Sequence, residues 1–155
     1  DGNAGLPCRL PLTKSRHQLP RAMSQKKSKS RRRPIAPLIY LVDDEAVLLD
    51  VAEAALQAQG FATVKFSDPE VALRTFLKAR PRPVLIITDY AMGRMNGLEL
   101  LERCKQAEPG LKTILVSGTA GAEIMLDAPV RVDRFLAKPH PSDALCELVR
   151  RVLVG

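Results

Sequence analysis

Four apolar runs in this 155-residue chain each end at side chains suited to a hard cation and a phosphoryl group. Asp43 and Asp44 follow Leu38-Ile39-Tyr40-Leu41-Val42, and Asp89 follows Val84-Leu85-Ile86-Ile87-Thr88. Ser117 ends Thr113-Ile114-Leu115-Val116, and Lys138 follows Arg134-Phe135-Leu136-Ala137. Three carboxylates gathered at one place repel each other unless a cation joins them. Carboxylate oxygens with no His, Cys or Gly-rich phosphate loop beside them suit Mg²⁺. That ion keeps several waters and takes the rest of its shell from one or two carboxylates and a phosphate. A lysine and a hydroxyl would bind the remaining phosphate oxygens. Singly, each residue has an ordinary reading: Asp ends strands and caps helices, Ser-Gly is common in loops, and Lys-Pro sits at turns. Their order, one at each strand end, is what argues for a shared site.

The apolar runs read as buried strands of a parallel sheet. Between the first two, Val47, Leu48, Val51, Ala55 and Ala58 recur at helical spacing over residues 45–59. Acidic residues in that helix's first turn suit the positive end of its dipole, and Gly60 suits its C-terminal stop. Residues 63–66 make a short second strand. Asp68-Pro69 reads as N-cap and first residue of a second helix, whose stripe is Leu73, Phe76 and Leu77 and whose stop is Pro81 and Pro83. A third helix spans 98–106, with Leu98, Leu101 and Cys104 on one face. A last helix spans 141–152, with Leu145, Leu148, Val149 and Val152 inward. In the stretch 118–132, Ala122–Leu126 makes at most a short, irregular fourth helix limited by Pro129. Strand and helix thus alternate five times across residues 38–155. Connections this short admit only right-handed crossovers, so the fold class is α/β, a doubly wound five-stranded parallel sheet with helices on both faces. Such sheets place their ligands at the carboxyl ends of the strands.

Charge divides the chain. Residues 1–37 carry ten Lys and Arg against Asp1, whereas residues 38–155 carry fourteen against sixteen Asp and Glu. The first part reads as a basic disordered arm or leader, the second as one folded domain. Met23 offers a natural start, which would make residues 1–22 extraneous. Lys26–Arg33 lacks interleaved aromatics to stack on bases, so a solvated tail is favoured over a nucleic-acid contact. Cys8, Cys104 and Cys146 have no metal-ligand spacing, which fits a reducing compartment. No apolar run approaches a membrane span.

Together these residues resemble the receiver domain of two-component response regulators, over residues 38–154. The resemblance rests on Asp43-Asp44, Asp89, the segment Met92-x-x-Met95-Asn96-Gly97, Ser117 and Lys138-Pro139. It implies the flavodoxin-like strand order 2-1-3-4-5. It implies that Asp89 accepts a phosphoryl group from a sensor histidine kinase or a phosphotransfer protein in the cytoplasm. It assigns Mg²⁺ to Asp44, Asp89 and the Ala91 carbonyl, with Asp43 acting through water. Ser117 would bind a phosphoryl oxygen, Lys138 would pair with the phosphate, and Phe135 would sit at the aromatic switch position. The protein would then be a stand-alone signalling module that catalyses only its own phosphorylation and dephosphorylation. Gly93 stands where the family usually has Pro, Phe135 lacks a hydroxyl, and His140 follows Lys-Pro where an aromatic is common.

Three other readings compete. A Mg²⁺-dependent phosphohydrolase with an Asp nucleophile needs a second carboxylate two residues on, and that position is Ala91. A nucleic-acid binder would work through the arm, and its binding would be salt-dependent. A receiver-like docking module without phosphate switching would not need the complete residue set.

Overall fold

Alternation along the strands sets the architecture. The computed structural model describes residues 35–118 and 128–155. Five strands, β1 (Leu38–Val42), β2 (Ala62–Phe66), β3 (Leu85–Asp89), β4 (Lys112–Ser117) and β5 (Arg134–Ala137), form one sheet. All neighbours pair in parallel, in the order β2-β1-β3-β4-β5. The described helices are α1 (Ala46–Ala58), α2 (Pro69–Lys78), α3 (Gly97–Ala107) and α4 (Ser142–Val154). The doubly wound sheet expected from the sequence is the one observed. The short helix expected at Ala122–Leu126 and residues 1–34 of the arm expected at 1–37 lie outside the described residues.

Two cores follow from the period-two alternation. Ile39, Leu41, Ile87 and Ile114 pack with Leu56 of α1 and Val149 of α4. Their neighbours Tyr40, Val42, Ile86 and Leu115 pack instead with Phe76 of α2 and Leu101 of α3. Every residue of β3 is buried, as a strand covered on both faces must be. The register sets Val42 beside Thr88, Asp89 beside Val116 and Ser117 beside Ala137. All the strand ends noted in the sequence therefore fall on one edge.

Local chemistry fixes the helix starts. The Asp68 carboxylate accepts from the N–H groups of Glu70 and Val71, at 2.8 and 3.4 Å, with Pro69 opening α2. Asn96 and Glu99 form a reciprocal capping box at the start of α3. Gly60 closes α1 with φ of 86°, the left-handed conformation that glycine adopts without strain.

Several helix details differ from the sequence expectation. The N-cap of α1 is Glu45, so its first turn holds no acidic residue. The cause is Asp43, whose Oδ1 accepts the Glu45 N–H at 2.9 Å and holds the acidic run ahead of the helix. The inward face of α1 is Leu49 and Leu56 flanked by Ala52 and Ala55, while Val47, Leu48 and Val51 are exposed. Apolar residues surround the first two turns of this helix, so periodicity alone favours no single face. In α2 it is Ala72 that joins Leu73 and Phe76 inside, and Leu77 is exposed. Val84 is likewise exposed and precedes β3, its N–H bonded to the Leu38 carbonyl. Cys104 and Cys146 are buried free thiols, and burial pushes Cys104 up to about 12, so it stays neutral and unreactive.

A polar cluster outside the candidate residues ties α3 and β4 to the entry of β5. Asp133 accepts from Lys105 Nζ at 2.8 Å, from the Thr113 N–H at 2.9 Å and from its hydroxyl at 2.8 Å. Burial works against its charge, but the hydrogen bonds from Lys105 and Thr113 outweigh it and hold the carboxyl below its usual range. A depressed carboxyl stabilises the fold above its unfolded-state pKa and loses that contribution as pH falls through the folded value. Asp133→Asn is expected to cost about 1 kcal/mol at pH 7, discounted because the carboxylate is partly exposed. Urea midpoints of the two proteins should converge toward pH 3, and an equal gap at both pH values would rule out the charge as the cause.

Candidate functional site

Lys138 is the centre of the site. Its N–H donates to the Ser117 carbonyl at 2.8 Å, so the β4–β5 pairing carries it to the sheet edge. There its ammonium lies 2.9 Å from Asp43 Oδ2 and 2.9 Å from Asp89 Oδ1, with Glu45 Oε1 at 4.0 Å. Asp43, Asp89 and Ser117 are 8, 6 and 2% exposed, which makes them buried polar groups needing compensation. Desolvation opposes the charge on Lys138, but the hydrogen bonds it donates to Asp43 and Asp89 prevail and raise its pKa above the ordinary lysine value. Its stabilising effect is thus complete below the unfolded value of about 10.4 and lost as pH rises through the folded one.

Asp89 is held from behind as well. The Tyr90 N–H donates to Val116 at 2.8 Å, the Thr88 hydroxyl donates to the Asp89 carbonyl at 3.1 Å, and the Gly97 N–H donates to Tyr90 at 3.0 Å. The strand end and the start of α3 are thereby clamped together.

The structure brings Asp43, Asp89 and Lys138 into contact and places Ser117 at the adjoining strand end. Asp44 and Ala91 are exposed beside them, and Phe135 is half-buried on β5. His140 is half-buried, its Nδ1 3.4 Å from the Pro141 carbonyl. Among the described residues no three His, Cys, Asp or Glu side chains form a ready metal cluster. The donor chemistry nevertheless fits Mg²⁺. Two oxygen ligands already converge on one cationic group, and this ion takes one or two carboxylates.

The family model described as the response regulator receiver domain matches residues 39–150. The chain belongs to this family. As a receiver, it is 30% identical over 132 residues to the C4-dicarboxylate transport transcriptional regulatory protein DctD of Pseudomonas aeruginosa, covering 77% of this chain and 27% of that one. It is 30% identical over 121 residues to the DNA-binding transcriptional regulator NtrC of Escherichia coli K12, covering 75% and 24%. The chain therefore spans about a quarter of the length of these regulators. The crystal structure of a response regulator receiver protein from Sinorhizobium medicae superposes with a TM-score of 0.70 at 28% identity, covering 78% of this chain and 97% of that one. Receiver proteins of this kind act in two-component signalling, and no helix among the described residues is long and apolar enough to cross a membrane.

One residue of the site, and one that ties α3 and β4 to the entry of β5, were not legible as such. Gly97 appears in the sequence only as part of a motif, yet an added Cβ would lie 2.2 Å from the Asp89 carbonyl oxygen. The available signal was its place as first helical residue, where glycine is a poor helix former. Asp133 had no local signal, because its partners lie twenty or more residues away.

Proposed function

We propose that this receiver accepts a phosphoryl group on Asp89 from the phosphohistidine of a sensor kinase or phosphotransfer protein, and that the cytoplasm is where it meets that donor. The observation that carries the reading is the Lys138 ammonium shared by Asp43 and Asp89 at a buried strand edge. A carboxylate nucleophile needs charge compensation as it meets an anionic phosphoryl group, and Lys138 supplies the part of it that this chain carries, the remainder falling to a divalent cation. The Asp89 oxygen forms the new P–O bond as the P–N bond to the donor histidine breaks. Lys138 pairs with the phosphoryl oxygens and the Ser117 hydroxyl donates to one of them. Asp44, Asp89 and the Ala91 carbonyl, with Asp43 through water, would hold Mg²⁺, whose chemistry is to neutralise charge on the transferring group. The added charge, about −2 at most, draws Ser117 inward and lets Phe135 change its burial, which shifts the population between two packings of the partner-binding surface. The chain acts as a signalling receiver and turns over no other substrate.

Intact-mass analysis after treatment with acetyl phosphate and Mg²⁺ tests the reading. A single phosphoryl adduct is expected on the wild type, absent without Mg²⁺ and absent in Asp89→Asn. A folded wild type that takes up no phosphoryl group would sink the proposal and leave a docking module that does not switch by phosphate.

A further inference from the structure

A cleft of about 410 Å³ opens between α1 and α4 and reaches the carboxylates of the site at one end. Its body is apolar: Leu48, Val51 and Ala52 of α1, Leu41 and Ile87 from the strand ends, and Leu145 of α4. Asp43, Asp89 and Lys138 stand together at its polar end, with His140 and Ser142 at the start of α4. Volume and lining match a small-molecule site, an apolar chamber with a few convergent polar groups. Leu48 and Val51 are 36 and 50% exposed, so part of the chamber wall is apolar surface facing water.

We propose that this cleft binds a small hydrophobic amine, its ammonium at the carboxylates and its hydrocarbon between α1 and α4. Charge selects the class. Two carboxylates in the cleft face one ammonium, and the exposed Asp44 and Glu45 follow directly in the chain. Lys138 is already shared between Asp43 and Asp89, so the end of the cleft retains excess negative charge. With no divalent cation bound, an anionic head group is repelled there, and a neutral one leaves the excess uncompensated. A bound amine and a divalent cation would share Asp43 and Asp89, so each weakens the other. The inference concerns a ligand whose head group shares Asp43 and Asp89 with the phosphoryl site while its hydrocarbon lies outside it, and its test requires no phosphorylation.

The experiment is a titration of the full chain in Mg²⁺-free buffer with hexylamine, hexanol and hexanoate, followed by ¹H–¹⁵N amide shifts. Hexylamine is expected to give saturable shifts confined to Ala52, Val116, Leu145 and their neighbours, with at least tenfold weaker binding of hexanol and none of hexanoate. Val51→Asn, at a half-exposed position where folding is retained, should weaken hexylamine at least threefold, and added MgCl₂ should raise its apparent Kd. Equal binding of hexanol, preferential binding of hexanoate, shifts scattered over the surface, or no saturation would each overturn the proposal. An amine that binds to a protein unable to accept phosphate would leave this inference standing while the phosphorylation reading fell.

Discussion

Gly97→Ala is expected to lower stability by about 2–3 kcal/mol and to slow phosphoryl uptake on Asp89 by more than tenfold. The new Cβ would sit 2.2 Å from the Asp89 carbonyl oxygen, 3.0 Å from its carbonyl carbon and 2.9 Å from Leu115 Cδ1. A leucine methyl can rotate away, but the Asp89 carbonyl belongs to the central strand and cannot move without moving the strand. Overpacking of this kind costs about 1–3 kcal/mol, and the upper part of that range applies where backbone meets backbone. The alternative to the overlap is for α3 to lift off the end of β3, which breaks the bond from the Gly97 N–H to Tyr90 that helps hold Asp89. Both responses displace the carboxylate that the proposed phosphoryl transfer needs. The control is Gly93→Ala, where an added Cβ meets nothing within 4 Å. It should match the wild type, or gain up to about 1 kcal/mol from a stiffer unfolded chain. Urea midpoints and the rate of adduct formation measure both variants, and a Gly97→Ala protein with a wild-type midpoint would show that the helix start is free to shift.

Lys138→Met is expected to have the second largest effect. It keeps the apolar stem and removes the ammonium that Asp43 and Asp89 share. Breaking a fully buried ion pair by deleting one partner costs about 3–5 kcal/mol, because the remaining charge stays buried and unpaired. The lysine side chain here is 22% exposed, so solvent screens part of that and about 2 kcal/mol is expected at pH 7. Adding Mg²⁺ should stabilise the variant more than the wild type, since the two freed carboxylates then gain a cation and none has to be displaced. Thermal unfolding with and without Mg²⁺ makes the comparison. A larger Mg²⁺ effect on the wild type would mean that the lysine does not hold the carboxylates together. Phosphoryl uptake should fall as well, because the variant lacks the group proposed to pair with the incoming oxygens.

The architecture was legible because its signals are local. Leu85-Ile86-Ile87 reads as a strand covered on both faces, and the β3 residues are buried throughout. Asp68-Pro69 reads as a helix start, and the Asp68 carboxylate caps α2. The inner face of α1 was not legible, for Val47, Leu48 and Val51 have the same helical spacing as the buried set. Which of the two sets meets the sheet depends on where Asp43 turns the chain. Leu77 and Ala72 compete in the same way on α2, and it is Ala72 that is buried.

The order of residues alone determined that Asp43, Asp89, Ser117 and Lys138 share an edge. Each ends an apolar run, and short parallel connections leave only one edge for the ends to occupy. The tertiary structure decided the rest. It set Lys138 between Asp43 and Asp89, left Asp44 exposed and brought the start of α3 against the Asp89 backbone. It also opened the cleft between α1 and α4. These are matters of a few ångströms between segments far apart in sequence. No propensity or spacing encodes them, and they arise only when both sides of the sheet are packed.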